Sequence, residues 1–248
     1  MFRGVDLVPA SVIAAGTALA VVPFAVELSA PVLAVVWLVS TVMRSIAPVH
    51  QHCHAHYTVF RSRVLDAAYD VVLMLAAGNT TAVWELQHVR GHHQTYLGRT
   101  EDPANNDRFG KDRRVAFTVL GDAMSVIDSW RIGRRFPAQR ARLARQVLVQ
   151  IAVLVAAFVV DPVLAVGFVV VPWLLLRWAV FWFSYAQHDT VPMTDVYSGS
   201  VTHFGLTNLF YLNVGHHTAH HEKPTLHWSR LPARTEQIVE RIPSVCLR

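Results

Sequence analysis

The sequence predicts an all-α integral membrane protein, with four transmembrane helices arranged as two hairpins. Three observations carry this. Hydrophobic residues make up 53% of the 248 positions and charged residues only 16%, where a soluble domain carries about 25% charged residues. Four apolar stretches stand out, against the requirement of about 20 helical residues to cross a hydrocarbon core. They pair across two short turns. No polar linker divides the chain, so a single domain over 1–248 is expected.

The first stretch runs from about Val8 to Val26 and the second from Pro31 to Val49, interrupted only by Arg44. The third covers Val147 to Val160 and the fourth Val163 to Tyr185. The turns fall at Glu27-Leu28-Ser29-Ala30 and Asp161-Pro162. Pro31 and Pro162 suit the first turn of the helices they open. Residues 1–30 share Arg3 and an apolar run with a secretory leader. Leu28, however, stands where a small residue is wanted before a cut after Ala30, so a retained helix is expected. The turns carry Glu27 and Asp161 but no lysine or arginine, whereas the segment between the hairpins is rich in arginine. The positive-inside tendency then places both turns outside and both termini in the cytosol.

Two further segments read as helices that do not span. Ala116, Val119, Leu120, Ala123, Met124, Ile127 and Trp130 recur at helical spacing, with Asp122, Ser125 and Asp128 opposite. That pattern fits an amphipathic helix lying on the membrane or a helix packed on a cytosolic domain. The stretch Leu65 to Leu86 is apolar but contains Asp66, Asp70, Asn79 and Glu85, which need partners in an apolar setting.

The formal charge is +5, and Lys111 and Lys223 are the only lysines. The basic groups, Arg131, Arg134, Arg135, Arg140, Arg142 and Arg145 among them, cluster between apolar segments. This placement suits cytosolic loops and anionic membrane lipids rather than nucleic acid. Cys53 and Cys246 form no C-x-x-C pair, which excludes an iron–sulfur centre in this chain and leaves two free thiols expected.

Fourteen histidines are present, most of them in three clusters: His50-Gln-His52-Cys-His54-Ala-His56, His88-Val-Arg-Gly-His92-His93 and His217-Thr-Ala-His220-His221. Imidazole is the commonest metal ligand near neutral pH. On an α-helix, residues i and i+4 share a face, which pairs His52 with His56, His88 with His92, and His217 with His221. His217 and His220 share a face at i and i+3. Adjacent residues diverge by about 100°, so the doublets His92-His93 and His220-His221 serve two neighbouring ions, and a dinuclear site is expected. Nitrogen ligands suit iron, copper, nickel or zinc over magnesium or calcium. Ligating imidazoles need an acceptor on the other ring nitrogen; Asp66, Asp70, Glu85, Asp102 and Asp189 are candidates.

These clusters resemble the three boxes of the membrane fatty acid desaturase/hydroxylase superfamily, H-x3-H, H-x3-H-H and H-x2-H-H. The resemblance extends from His50 to Pro232. It takes in Phe60-Arg61-Ser62, Asp102-Pro103 and, most strongly, the run Asn213 to Pro232 with its Trp-Ser-Arg-Leu-Pro ending, which looks like bacterial members. It implies four membrane helices under a cytosolic helical cap, which agrees with the charge pattern: that topology puts all three histidine clusters on the cytosolic side, of a bacterial inner membrane. It also implies two iron ions that activate O2 with electrons from an external donor. Members often use one more histidine upstream of the third box, a role that His188 fits. The implied ligands are His52, His56, His88, His92, His93, His188, His217, His220 and His221.

The first box allows two registers, His50/His54 and His52/His56; the family distance to Phe60-Arg61-Ser62 favours the second. Cys53 stands where relatives often carry an acid, and His216 takes the place of an aromatic wall residue. His203 and His227 are read as surface or structural, and Trp228 as packing. Asn213 either holds a metal-bound water or caps a turn.

The function implied is O2-dependent desaturation of a lipid-like acyl chain, with a separate ferredoxin or reductase as electron donor. Acyl hydroxylation, acetylenic or alkene-forming chemistry and carotenoid ketolation are relatives of that reaction. A membrane metal transporter is the alternative of a different class. It is disfavoured because transporters place ligands near mid-membrane, whereas these spans lack histidine.

Overall fold

The computed structural model describes residues 4–98 and 102–248; Arg3, part of the leader-like start, lies outside them. The described residues are helical apart from turns, loops and one isolated bridge between Thr202 and Leu247. Among the described residues, four helices are long and apolar enough to cross a membrane: Gly4–Phe24, Ala30–His56, Pro137–Val160 and Pro162–Gln187. Two bounds differ from the hydropathy reading. The second helix continues through the first histidine cluster. The third begins at Pro137, because its first turns carry Arg140, Arg142 and Arg145 on an otherwise continuous helix. The hairpin turns behave as their sequences suggest. Asp161 caps the fourth helix by accepting from the Leu164 N–H at 2.9 Å, with Pro162 at its first turn.

Contacts divide the described residues into two compact units. The first comprises residues 4–83 and 136–177. Its core is Ala10, Ile13, Ala47, Val59, Tyr69, Leu73, Ala76 and Ala77. Gly16 lets the first two helices approach: a Cβ there would sit 2.6 Å from the Met43 Cβ. The fourth span contains a π-helical stretch, Ala165–Val170, a geometry that widens the turn. Carbonyls in that stretch take outside donors. Trp37 donates to the Gly167 carbonyl at 2.8 Å, and Arg44 donates both terminal nitrogens to the Phe168 carbonyl at 3.3 Å. This is how an arginine sits buried inside an apolar span. The outer faces stay apolar and exposed, as at Val35, Leu38, Leu148, Val155 and Val159, which suits lipid contact.

The apolar stretch after Leu65 is broken rather than spanning. Ser62 caps helix Arg63–Ala77, and Gly78 ends it in the left-handed conformation, φ 68°. The Trp173 side chain lies where a Gly78 Cβ would be, at 2.3 Å, so only glycine fits.

The second unit comprises residues 84–98, 102–135 and 178–248. It holds the helix Arg114–Ile132, the end of the fourth span, and the short helices His217–Glu222 and Leu231–Ile238. Its core is Val191, Val201, Ala219, Leu231, Ile238, Ile242 and Cys246, against which Trp228 packs. Both cysteines are buried free thiols.

Candidate metal centre

In the first unit, the helix Ala47–His56 shows two histidine faces. His50 Nδ1 lies 2.6 Å from the Tyr69 hydroxyl and its Nε2 lies 3.6 Å from Asp6. His54 Nδ1 accepts from the Val59 N–H at 3.3 Å. Its Nε2 lies 3.3 Å from Asp70 and 3.7 Å from Asp66. The register His50/His54 is thus engaged in protein contacts. His52 and His56 sit on another face, their ring centroids 5.0 Å apart. Asp70 also pairs with Arg142 and accepts from Gln146. Burial alone would raise its pKa; the hydrogen bond from His54 and the Arg142 charge outweigh that and hold it below the usual carboxylate range.

In the second unit, the second histidine cluster lies on a π-helix, Trp84–His92. Its i→i+5 turn changes which histidines meet. The α-helical reading pairs His88 with His92; the structure instead brings His88 Nε2 to 3.0 Å from His93 Nε2. His93 Nε2 in turn lies 2.9 Å from His220 Nε2. His92 turns to a second group, with its Nε2 3.4 Å from His221 Nε2. His217 Nε2 lies 3.1 Å from both His188 Nε2 and His221 Nε2. Within this unit His88, His93 and His220 thus form one convergence, and His92, His188 and His221 another. Each adjacent doublet divides between the two.

The ring orientations are fixed from behind. Both Asp102 oxygens lie 3.0 Å from His92 Nδ1, and His188 Nδ1 donates to the Gly199 carbonyl at 2.9 Å. Burial alone would raise the Asp102 pKa, but the His92 partner outweighs it and keeps the carboxylate ionised. Each Nδ1 therefore carries a proton, and each Nε2 lone pair points into its group. Burial lowers the His188 pKa to about 3. Burial and then the neighbouring imidazoles hold His221 well below its ordinary value. His188 and His221 thus stay neutral at pH 7, and the Nε2 atoms of the group gather at contact distance. That arrangement is repulsive alone and fits a cation: two metal–nitrogen bonds of about 2.1 Å at a right angle put their nitrogens about 3.0 Å apart.

The other sequence candidates are placed as follows. Asp102 reaches His92 of the second cluster, as Asp66 and Asp70 reach His54 of the first. Asp189 shares with His188, Asp102, Asp107, Asp112 and Tyr185 the lining of a cavity of about 150 Å³, an acidic lining that suits water rather than hydrocarbon. Glu85 is half-buried on the π-helix. Asn213 adopts the left-handed conformation and donates to the Trp228 carbonyl at 3.3 Å, a turn role. His216 is buried with Nδ1 2.9 Å from the Thr235 hydroxyl, and His227 accepts from the Ser229 N–H at 3.2 Å. Two neighbours escaped the sequence reading. Tyr96 lays its ring 4.4 Å from that of His221; its spacing after His92-His93 is the one signal that pointed to it. Gly199 offers a backbone carbonyl, which leaves no trace in sequence.

Residues 28–248 match the family described as fatty acid desaturase. The chain belongs to the fatty acid desaturase family, whose members are oxidoreductases. Among curated proteins, a sphingolipid delta(4)-desaturase of Komagataella phaffii is 44% identical over 48 residues. That match covers 19% of this chain and 12% of the yeast protein, so the chain aligns with only a small part of its relative's length.

Proposed function

We propose that this protein is an O2-dependent diiron oxidase that introduces a double bond into a lipid-borne acyl chain. In this reading His52, His56, His88, His92, His93, His188, His217, His220 and His221 hold the two irons. The observation that carries it is the pair of imidazole convergences in the second unit, with His92 and His188 oriented by Asp102 and Gly199 so that their Nε2 atoms point into the group. Bound iron supplies the one-electron redox chemistry that O2 activation requires. The chain's own residues orient the ligands, and burial keeps His188 and His221 unprotonated.

The reaction balances as follows. A –CH2–CH2– unit loses two hydrogens to become –CH=CH–, and O2 takes these with two external electrons and two protons to give two waters. The family membership, the lipid named for the yeast relative and the apolar outer faces of the spans support an acyl substrate. Electrons come from a separate ferredoxin or reductase, which the arginines Arg131, Arg134 and Arg135 suit as a docking face for an acidic protein. The site then lies on the cytosolic face of a bacterial plasma membrane, as the arginine placement suggests.

The test is turnover of the iron-loaded chain in nanodiscs with ferredoxin, reductase and deuterium-labelled lipids, read by mass spectrometry. Product lacking two hydrogens with matching O2 uptake is expected. Products that gain one oxygen would make it a hydroxylase. Metal flux without O2 uptake would replace the enzyme with a transporter.

A further inference from the structure

The segment between the fourth span and the third histidine cluster forms a closed loop, residues 203–215. Both ends are tied to the last turn of that span. His203 Nε2 lies 3.4 Å from the Ala186 carbonyl, and its ring lies 5.9 Å from that of Phe183. The Gln187 side-chain amide donates to the Val214 carbonyl at 2.9 Å. The loop closes on itself where the His203 N–H donates to the Gly215 carbonyl at 2.8 Å. Asn208 fills its interior. Its side-chain amide donates to the His203 carbonyl at 2.9 Å, and its Oδ1 accepts from the Gly215 N–H at 2.8 Å. Gly205, Leu212 and Asn213 turn the chain back with φ of 142°, 51° and 56°. Apart from the exposed Thr207, the loop's polar contacts are spent inward, as in a compact Ω-loop.

What faces outward is apolar. Leu206 is 78% exposed, Leu209 75%, Phe210 63% and Phe204 53%, and residues 204–215 include no charged side chain. Four large apolar groups on a rigid, uncharged loop do not suit water. We propose that this loop is a membrane-inserted tip, with Phe204, Leu206, Leu209 and Phe210 buried in the headgroup–acyl boundary of the bilayer. Its depth follows from its anchors: Ala186 and Gln187 end the fourth span, so the loop stands where that helix leaves the hydrocarbon. The exposed Trp182, about one turn before Ala186 on the same helix, is the kind of residue expected near that level. The third histidine cluster starts as the loop closes, so insertion sets the height of His217, His220 and His221 against the lipid. The inference rests on Pro162–Gln187 being a span and not on the catalytic reading.

Because Cys53 and Cys246 are buried, Leu209→Cys gives a selectively labelled site on the full chain. Labelled with NBD in phosphatidylcholine/phosphatidylglycerol nanodiscs, it is expected to emit blue-shifted light. Nitroxide placed high on the acyl chain should quench it, and iodide should not. Aqueous emission quenched by iodide and indifferent to nitroxide lipid would overturn the inference. So would blue-shifted emission indifferent to nitroxide lipid accompanied by disulfide-linked dimers, which would assign the face to a second copy. Leu206→Cys repeats the measurement should the first variant not purify as a single species.

Discussion

His220 and His227 show how little residue type alone decides. His220 Nε2 faces His93 Nε2 at 2.9 Å, whereas His227 is buried with its Nδ1 accepting from the Ser229 N–H that follows it. His220→Ala is expected to lower bound iron and abolish turnover. His227→Ala is expected to keep its iron and lose about 1 kcal/mol of stability, the usual cost of a lost cap. Iron per chain and thermal midpoints check both. Asp70 is the clearest pH handle. Its folded pKa lies below the unfolded value of about 3.9. Its contribution is therefore present above that value and is lost as pH falls through the lowered folded pKa. Denaturation series in detergent should show a steeper acid loss for the wild type than for Asp70→Asn. At neutral pH the variant should be less stable by about 1–3 kcal/mol, because Arg142 and His54 lose a charged acceptor. The dense histidine clusters were legible in sequence. The contacts that distinguish the two pairs were not derivable from helical spacing, since each pair shares a face; it is the fold that brings Tyr69 to His50 and Asp66 and Asp70, on another helix, to His54.

The helix bearing His88 and His92 shows what an element can hide. Its π-helical turns pair His88 with His93, and no hydrophobic period announces them, because they come from where the helix packs. Gly91 is the packing point: a Cβ there would lie 2.9 Å from Pro103 and 3.0 Å from Ile132. Pro103 adjoins Asp102, which orients His92. Gly91→Ala should therefore cost about 1–3 kcal/mol of overpacking and weaken metal binding, since displaced partners behind a ligand typically cost 10–100-fold in affinity. Metal titration of the variant, with thermal unfolding beside it, measures the two effects. Retention of full affinity would show that Asp102 does not depend on this contact. The spans themselves were readable because apolar length is their whole physical requirement. The break at Gly78 was less so: the apolar pattern continues past it, and only Trp173, from the fourth span, shows why no side chain fits there.

At the scale of the molecule, a ligand that binds the folded chain alone stabilises it. Chelation of the iron-loaded protein should lower its thermal midpoint, and added Fe(II) should restore it. An unchanged midpoint would mean that the histidine groups are not metal-held. Composition and the four apolar stretches determined by themselves that this is a helical membrane protein, and the histidine boxes carried the resemblance to the desaturase family, because each is a local property of the chain. Tertiary structure alone decided which ring nitrogen faces which, that Asp102 and Gly199 hold His92 and His188, and that the loop before the third cluster is fastened to the end of a span. Those are contacts between residues remote in sequence, where backbone carbonyls and packing geometry matter and residue type carries little information.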